Sequence, residues 1–200
     1  MDLKSLVRQA SPKQFGPRPA FSEVDVLRAL WILSGEPAGR KMLADALSLG
    51  EGSMRSLIAF FSQRRLVAAS PRGCVLTRHG ARWQEDLKKE VRSACWVEGS
   101  PIAFHLPAFS VCAKSAASKL GKGIEQRDAA VREGAFGATV LSCTGSKLVF
   151  PGTSENVEKA LAARLVDVTL AQKNDALVLS YASNRAASER GAWAAALTLF

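Results

Sequence analysis

The sequence predicts a two-domain chain of mixed class, α+β in its first half and a small α/β layer domain in its second. Three observations carry that prediction. Residues 22–65 contain three successive apolar patterns of helical spacing. Two short apolar runs flank Ser70-Pro71-Arg72-Gly73, as in a hairpin. From residue 107 onward, strand-like and helix-like stretches alternate. A length of 200 residues accommodates two compact units of about 100 residues, each with its own core.

In chain order, residues 1–20 read as a short initial helix and then an irregular arm, because Pro12, Gly16, Pro17 and Pro19 interrupt any regular element. Ser22 is placed to cap a helix with Asp25 in its first turn, and Val24, Leu27, Leu30 and Trp31 supply the buried stripe. That helix should stop at Ser34-Gly35. Leu43, Ala46 and Leu47 mark a second helix over residues 40–47. Met54, Leu57, Ile58 and Phe61 fall at i, i+3, i+4 and i+7 and mark a third, which leaves Arg55, Ser56, Ser62 and Gln63 turned away from its apolar face. After the hairpin, Thr77 can cap a helix that carries Trp83, Leu87 and Val91. Helix, helix, helix, hairpin, helix is the order of a winged helix-turn-helix, assigned here to residues 21–92.

Residues 93–106 read as the boundary, broken by Gly99-Ser100-Pro101. The second unit, residues 107–200, is expected to place strands at 109–113, 138–142, 147–150 and 176–181. Helices are expected at 124–133, 156–164 and 186–197, the last an Ala-rich helix packed tightly on a sheet.

The composition narrows the function. The net charge is +9, of which +6 lies in the first hundred residues and +3 in the second. Such an excess favours an acidic partner, and it is larger where the helix-turn-helix lies. No apolar run approaches the length of a membrane span, and the N-terminus lacks the apolar core of a secretory signal, so a cytoplasmic protein is expected. Cys74, Cys95, Cys112 and Cys143 are scattered singly and read as buried thiols, with Cys112 or Cys143 the candidates for a redox sensor. Neither metal-ligand spacing nor a nucleophile motif is present, so no metal, cofactor or catalytic residue is expected.

A helix-turn-helix binds double-stranded DNA by bracing one helix so that the next can enter the major groove. Here the groove-entering helix begins at Gly50, and its exposed first turns offer Glu51, Ser53, Arg55 and Ser56, with Arg55 the leading candidate for a base or phosphate. Arg40 and Lys41 at the preceding helix and Arg72 at the hairpin tip are placed for phosphates. In the second unit, glycines around a short helix with Lys122, Gly123, Glu125, Gln126, Arg127 and Asp128, followed by Gly137 and Thr139, form a candidate site for a small anionic metabolite or nucleotide. The alternative is a plain turn with surface ion pairs. A homodimer is expected because one winged helix covers only a half-site. The competing functions are a nucleotide- or RNA-acting enzyme positioned by the first unit, and a protein-interaction module.

The segments FGPRPAFSEVDVLRAL (15–30), GRKMLADAL (39–47), GEGSMRSLI (50–58) and RGCVLTRHG (72–80) resemble an archaeal family of winged-helix proteins that carry a C-terminal domain of unknown function. The resemblance continues through GIEQRDAAVREGAFGATVL (123–141) and ASERGAWAAAL (187–197). It implies a DNA-binding regulator and transfers no ligand.

Overall fold

The computed structural model describes residues 3–8, 21–145 and 147–200, so most of the proposed irregular arm lies outside the described residues. The chain divides into two compact units, the first ending at Lys88 and the second beginning at Lys89. The molecule is of mixed α+β class, with a helical N-terminal part and a C-terminal sheet domain. No helix among the described residues is long and apolar enough to cross a membrane.

The first unit comprises α1 (Leu3–Arg8), α2 (Glu23–Ile32), α3 (Arg40–Leu47), α4 (Glu51–Gln63), the strands β1 (Val67–Ser70) and β2 (Gly73–Leu76), and α5 (Arg78–Glu90), which runs on past the division. Ser22 and Asp25 close a reciprocal capping box on α2. The other end of that network is buried. Arg28, 1% exposed, lies 3.5 Å from Asp25 and donates to the carbonyls of Ala46 and Leu47 at 3.0 and 2.9 Å. One guanidinium therefore neutralises the α2 carboxylate and satisfies the last carbonyls of α3, which sets the angle between these helices. Leaving such a buried charge without its partner costs about 3–5 kcal/mol.

Leu27, Leu30, Leu43, Leu47, Met54, Leu57, Phe61 and Leu87 fill the core of this unit. The hairpin pairs Val67 with Leu76 and Ser70 with Gly73 around Pro71-Arg72. It also gains a third partner, since Ala38 and Cys74 exchange backbone hydrogen bonds of 3.0 and 2.9 Å. At Gly80 a side chain would drive into the carbonyl of Leu66, so only glycine lets α5 start this close to the hairpin.

The second unit comprises β3 (Val91–Val97), β4 (Ala108–Ala113), α6 (Ile124–Arg132), β5 (Gly137–Cys143), β6 (Leu148–Val149), α7 (Lys159–Thr169), β7 (Ala176–Tyr181) and α8 (Arg185–Leu197). The strands form one sheet in the order β3-β4-β7-β5-β6, antiparallel at every pairing. Since β4 and β5 both run opposite to β7, they are parallel to each other, with α6 as their crossover and β7 inserted between them. Alternation along β7 separates two faces. Ser180 meets Gly191 of α8, whereas Leu177 and Leu179 join Cys112, Leu141, Ala162 and Leu165 in a cluster beneath α7. Helices α6 and α8 cover one face and α7 the other, so the layers expected from the alternation are present around an antiparallel sheet.

Two elements depart from the sequence reading. Residues 91–97, mostly assigned to the boundary, form β3, paired along its length with β4 across a bulge at Arg92. The expected helix at 156–164 is displaced to Lys159–Thr169. Asn156 is held extended by a bridge to Val149, and the Glu158 carboxylate then caps the amides of Ala160 and Leu161 at 2.9 and 3.0 Å.

Candidate nucleic-acid interface

Helix α4 buries Met54, Leu57, Phe60 and Phe61. By the same period, Gly52, Arg55, Ser56, Ala59 and Gln63 lie on the opposite side, and all are exposed. This outward face carries small or polar uncharged residues and one guanidinium. Arg55 pairs with Glu51 one turn earlier at 3.0 Å, with both side chains mostly in solvent, and the Ser56 hydroxyl donates to the Gly52 carbonyl at 3.1 Å. An exposed i,i+4 pair of this kind contributes only about 0.3–0.5 kcal/mol, so Arg55 can exchange Glu51 for another anion at little cost.

Arg40, Lys41 and Glu51 line a hollow of about 730 Å³ between α3, α4 and the hairpin, whose floor is Ala44, Leu49, Met54, Ile58 and Ala69. The rim carries Arg40 and Lys41 at the start of α3, and the carboxylates of Asp45 and Glu51 also border the hollow. Arg72 is exposed in the hairpin turn. Of the residues nominated from the sequence, Arg40, Lys41 and Glu51 come together at the hollow, while Arg55 and Ser56 stand on the outward face of α4. Ser53 does not join them. It is half-buried seven residues before Phe60, on the flank that the helical period turns toward the core. Gly52 and Ala59 were missed, although the i, i+3, i+4, i+7 series through Arg55 and Ser56 identifies both.

In the second unit, Lys122, Gly123, Arg127 and Thr139 border a smaller hollow of about 280 Å³, together with Ile124, Ala138, Val140, Phe150 and Pro151. The remaining nominated residues lie elsewhere. Gln126 is 1% exposed and donates to the Thr198 hydroxyl at 2.8 Å, tying α6 to the end of α8. Gly137 is buried beneath the Tyr181 ring, and Glu125 and Asp128 are exposed without lining the hollow. Thr139 spends its hydroxyl proton on the Ile102 carbonyl at 2.9 Å.

A polar cluster that sequence reasoning did not find lies at one end of the sheet. Asp175, wholly buried, accepts from Arg92, from the amides of Ser115 and Gln172 at 3.0 and 2.9 Å, and from the Cys112 thiol at 3.7 Å. Burial pushes its carboxyl upward, but the Arg92 hydrogen bond and the two amides prevail and hold it below the ordinary aspartate value. Cys112 moves the other way, raised first by burial and then by the Asp175 charge. A thiol so placed resists ionisation, which argues against Cys112 as a redox sensor. Cys143 is also buried.

Residues 23–82 match the family described as PH0730-like, N-terminal domain, and residues 107–199 match a domain of unknown function, DUF4443. The chain is similar to a protein from an archaeon. The hypothetical protein PH0730 from Pyrococcus horikoshii OT3 shares 26% identity and superposes with a TM-score of 0.77, over 90% of this chain and 92% of the other. None of the curated proteins matches. The coarse resemblance expected from the sequence is thus met, with an N-terminal domain followed by a domain of unknown function and a relative in an archaeon. The two matched segments leave out 83–106, the stretch that contains β3.

Proposed function

We propose that the first unit is a winged helix-turn-helix that binds double-stranded DNA through α4, and that the protein is a transcriptional regulator acting as a homodimer. The observation that carries this reading is the outward face of α4. That solvated side carries one guanidinium, ion-paired to Glu51, among glycine, serine, alanine and glutamine, so little bulk stands between the helix axis and a partner. A major groove about 12 Å wide admits a helix of that profile. Supporting features are the cationic start of α3, the hairpin with Arg72 at its turn, and the Ala38 bridge, which adds the third strand position of a wing.

The C-terminal unit is the regulatory half and receives an anionic partner. Two of its exposed cations, Lys122 and Arg127, stand together at one hollow.

The test is at Arg55. Arg55→Ala is expected to weaken binding to a specific duplex by about tenfold or more, the loss of one bidentate base or phosphate contact. Arg164→Ala, an exposed control on α7 that bonds the Glu98 carbonyl, should change binding by less than about twofold. Equal effects in a fluorescence anisotropy titration would remove α4 as the reading helix.

A further inference from the structure

The hydrogen bonds of β5 leave half of one edge open. Next to the Ser142–Ala176 pair, the Cys143 amide donates to the Asp175 carbonyl at 2.9 Å, so the odd-numbered residues of β5 bond toward β7. Alternation turns the amides and carbonyls of Ala138, Val140 and Ser142 to the other side. Ser142 finds β6 there, paired with Val149. The strand β6 then stops after two residues. Phe150 turns its amide to the Glu155 carbonyl at 3.0 Å, and Pro151, which would come next, has no N–H to give. Among the described residues, Ala138 and Val140 therefore have no strand partner on this side, and the 280 Å³ hollow lies along them.

Around that edge the side chains are selective. Lys122 and Arg127 line it, and neither has an acidic partner among the described residues. Exposed Ile124 lines it too, and exposed Phe136 stands at the start of β5. An unpaired row of N–H and C=O groups is satisfied by another extended backbone, and two cations beside it select acidic side chains at alternate positions. Resting on the reading of this hollow as an anion-receiving site, we propose that the β5 edge binds an extended acidic peptide segment of a partner protein as an added antiparallel or parallel strand. A second copy of this chain fits poorly, since two-fold pairing of the edges would set each cationic rim against its own duplicate. The chain's own residues 9–20 fit no better, because they carry Lys13, Arg18 and three prolines.

The test uses the full-length protein and a short labelled peptide alternating glutamate with valine, compared with its lysine counterpart and with a version N-methylated on alternate amides. The acidic peptide should bind saturably and the lysine peptide should not, and N-methylation on the bonding edge should weaken binding about three- to tenfold. Ala138→Pro, which removes an outward N–H from an edge position where proline is tolerated, should give a similar loss. The double change Lys122→Glu with Arg127→Glu should reverse the preference to the lysine peptide. Equal binding of the two peptides, or binding indifferent to N-methylation, would overturn the proposal. So would saturable binding of inorganic phosphate without the peptide, which would leave the anion-receiving reading standing. A dimer in sedimentation that Ala138→Pro dissociates would assign the edge to a second copy instead. Arg55→Ala should leave peptide binding unchanged, which separates this outcome from that of the DNA reading.

Discussion

Asp175 joins parts of the second unit that are distant in sequence. Its carboxylate binds Arg92, 83 residues away, together with the amides that follow β4 and precede β7. The contact explains how β3 is held at the sheet edge despite its bulge, because Arg92 is the residue the bulge frees. A carboxyl held below its unfolded value contributes stability that is fully present above about pH 4 and is lost as the pH falls through the folded-state value. Asp175→Asn should therefore destabilise the protein at pH 7 by roughly 1.5–3 kcal/mol, the range for hydrogen bonds to a charged group. It should also flatten the decline in stability below about pH 4. Urea unfolding at a series of pH values checks both, and a variant that keeps the wild-type acid limb would show that other carboxylates produce it. None of this was legible beforehand, since no local pattern links residue 92 to residue 175. The capping pair Ser22 and Asp25 was legible, because a cap is decided by neighbours three residues apart. Arg28 was not, its partners being the carbonyls of another helix.

At the scale of the element, α4 poses a question that its stability does not answer. A Cβ at Gly52 would meet nothing within 4 Å, and the residue is helical, so neither packing nor backbone conformation requires glycine. Alanine there should raise stability by about 0.5–1 kcal/mol. If the outward face lies against DNA, the same methyl group stands between helix and groove. Gly52→Ala is then expected to melt higher and bind specific DNA more weakly, a combination that general damage cannot produce; higher melting with unchanged binding would place Gly52 outside the contact. Helices with one apolar stripe, as in α3 and α4, were legible because burial writes a period into the sequence, and β7, buried on both faces, was legible as a short apolar run. Strand β3 was hidden. It is an edge strand in which Arg, Ser, Ala, Cys and Trp follow one another between two valines, half-buried on both faces, and such a run has no clear period. The antiparallel order of the sheet was likewise invisible, since alternating strands and helices are compatible with either sense.

For the whole molecule, the decisive property is the charge, +9 in all and concentrated in the half that holds α4. Positive charge alone binds any nucleic acid, with an affinity that falls steeply with salt. If Arg40, Lys41, Arg55 and Arg72 each neutralise a phosphate, one protomer should show a slope of log K against log salt near −3.6, and a dimer on a palindromic site about twice that. Fragmented genomic DNA from the source cell, titrated with the purified protein and sequenced after retention at two salt concentrations, separates the cases. Specific reading predicts a palindromic motif, with half-sites about 34–36 Å apart or a multiple of that, enriched more strongly at the higher salt because non-specific fragments are lost first. Retention that disappears at the higher salt without leaving a motif would reduce the charge to general attraction. The outward face of α4 would then belong to another ligand, and the acidic segment proposed for the β5 edge would be the partner to pursue.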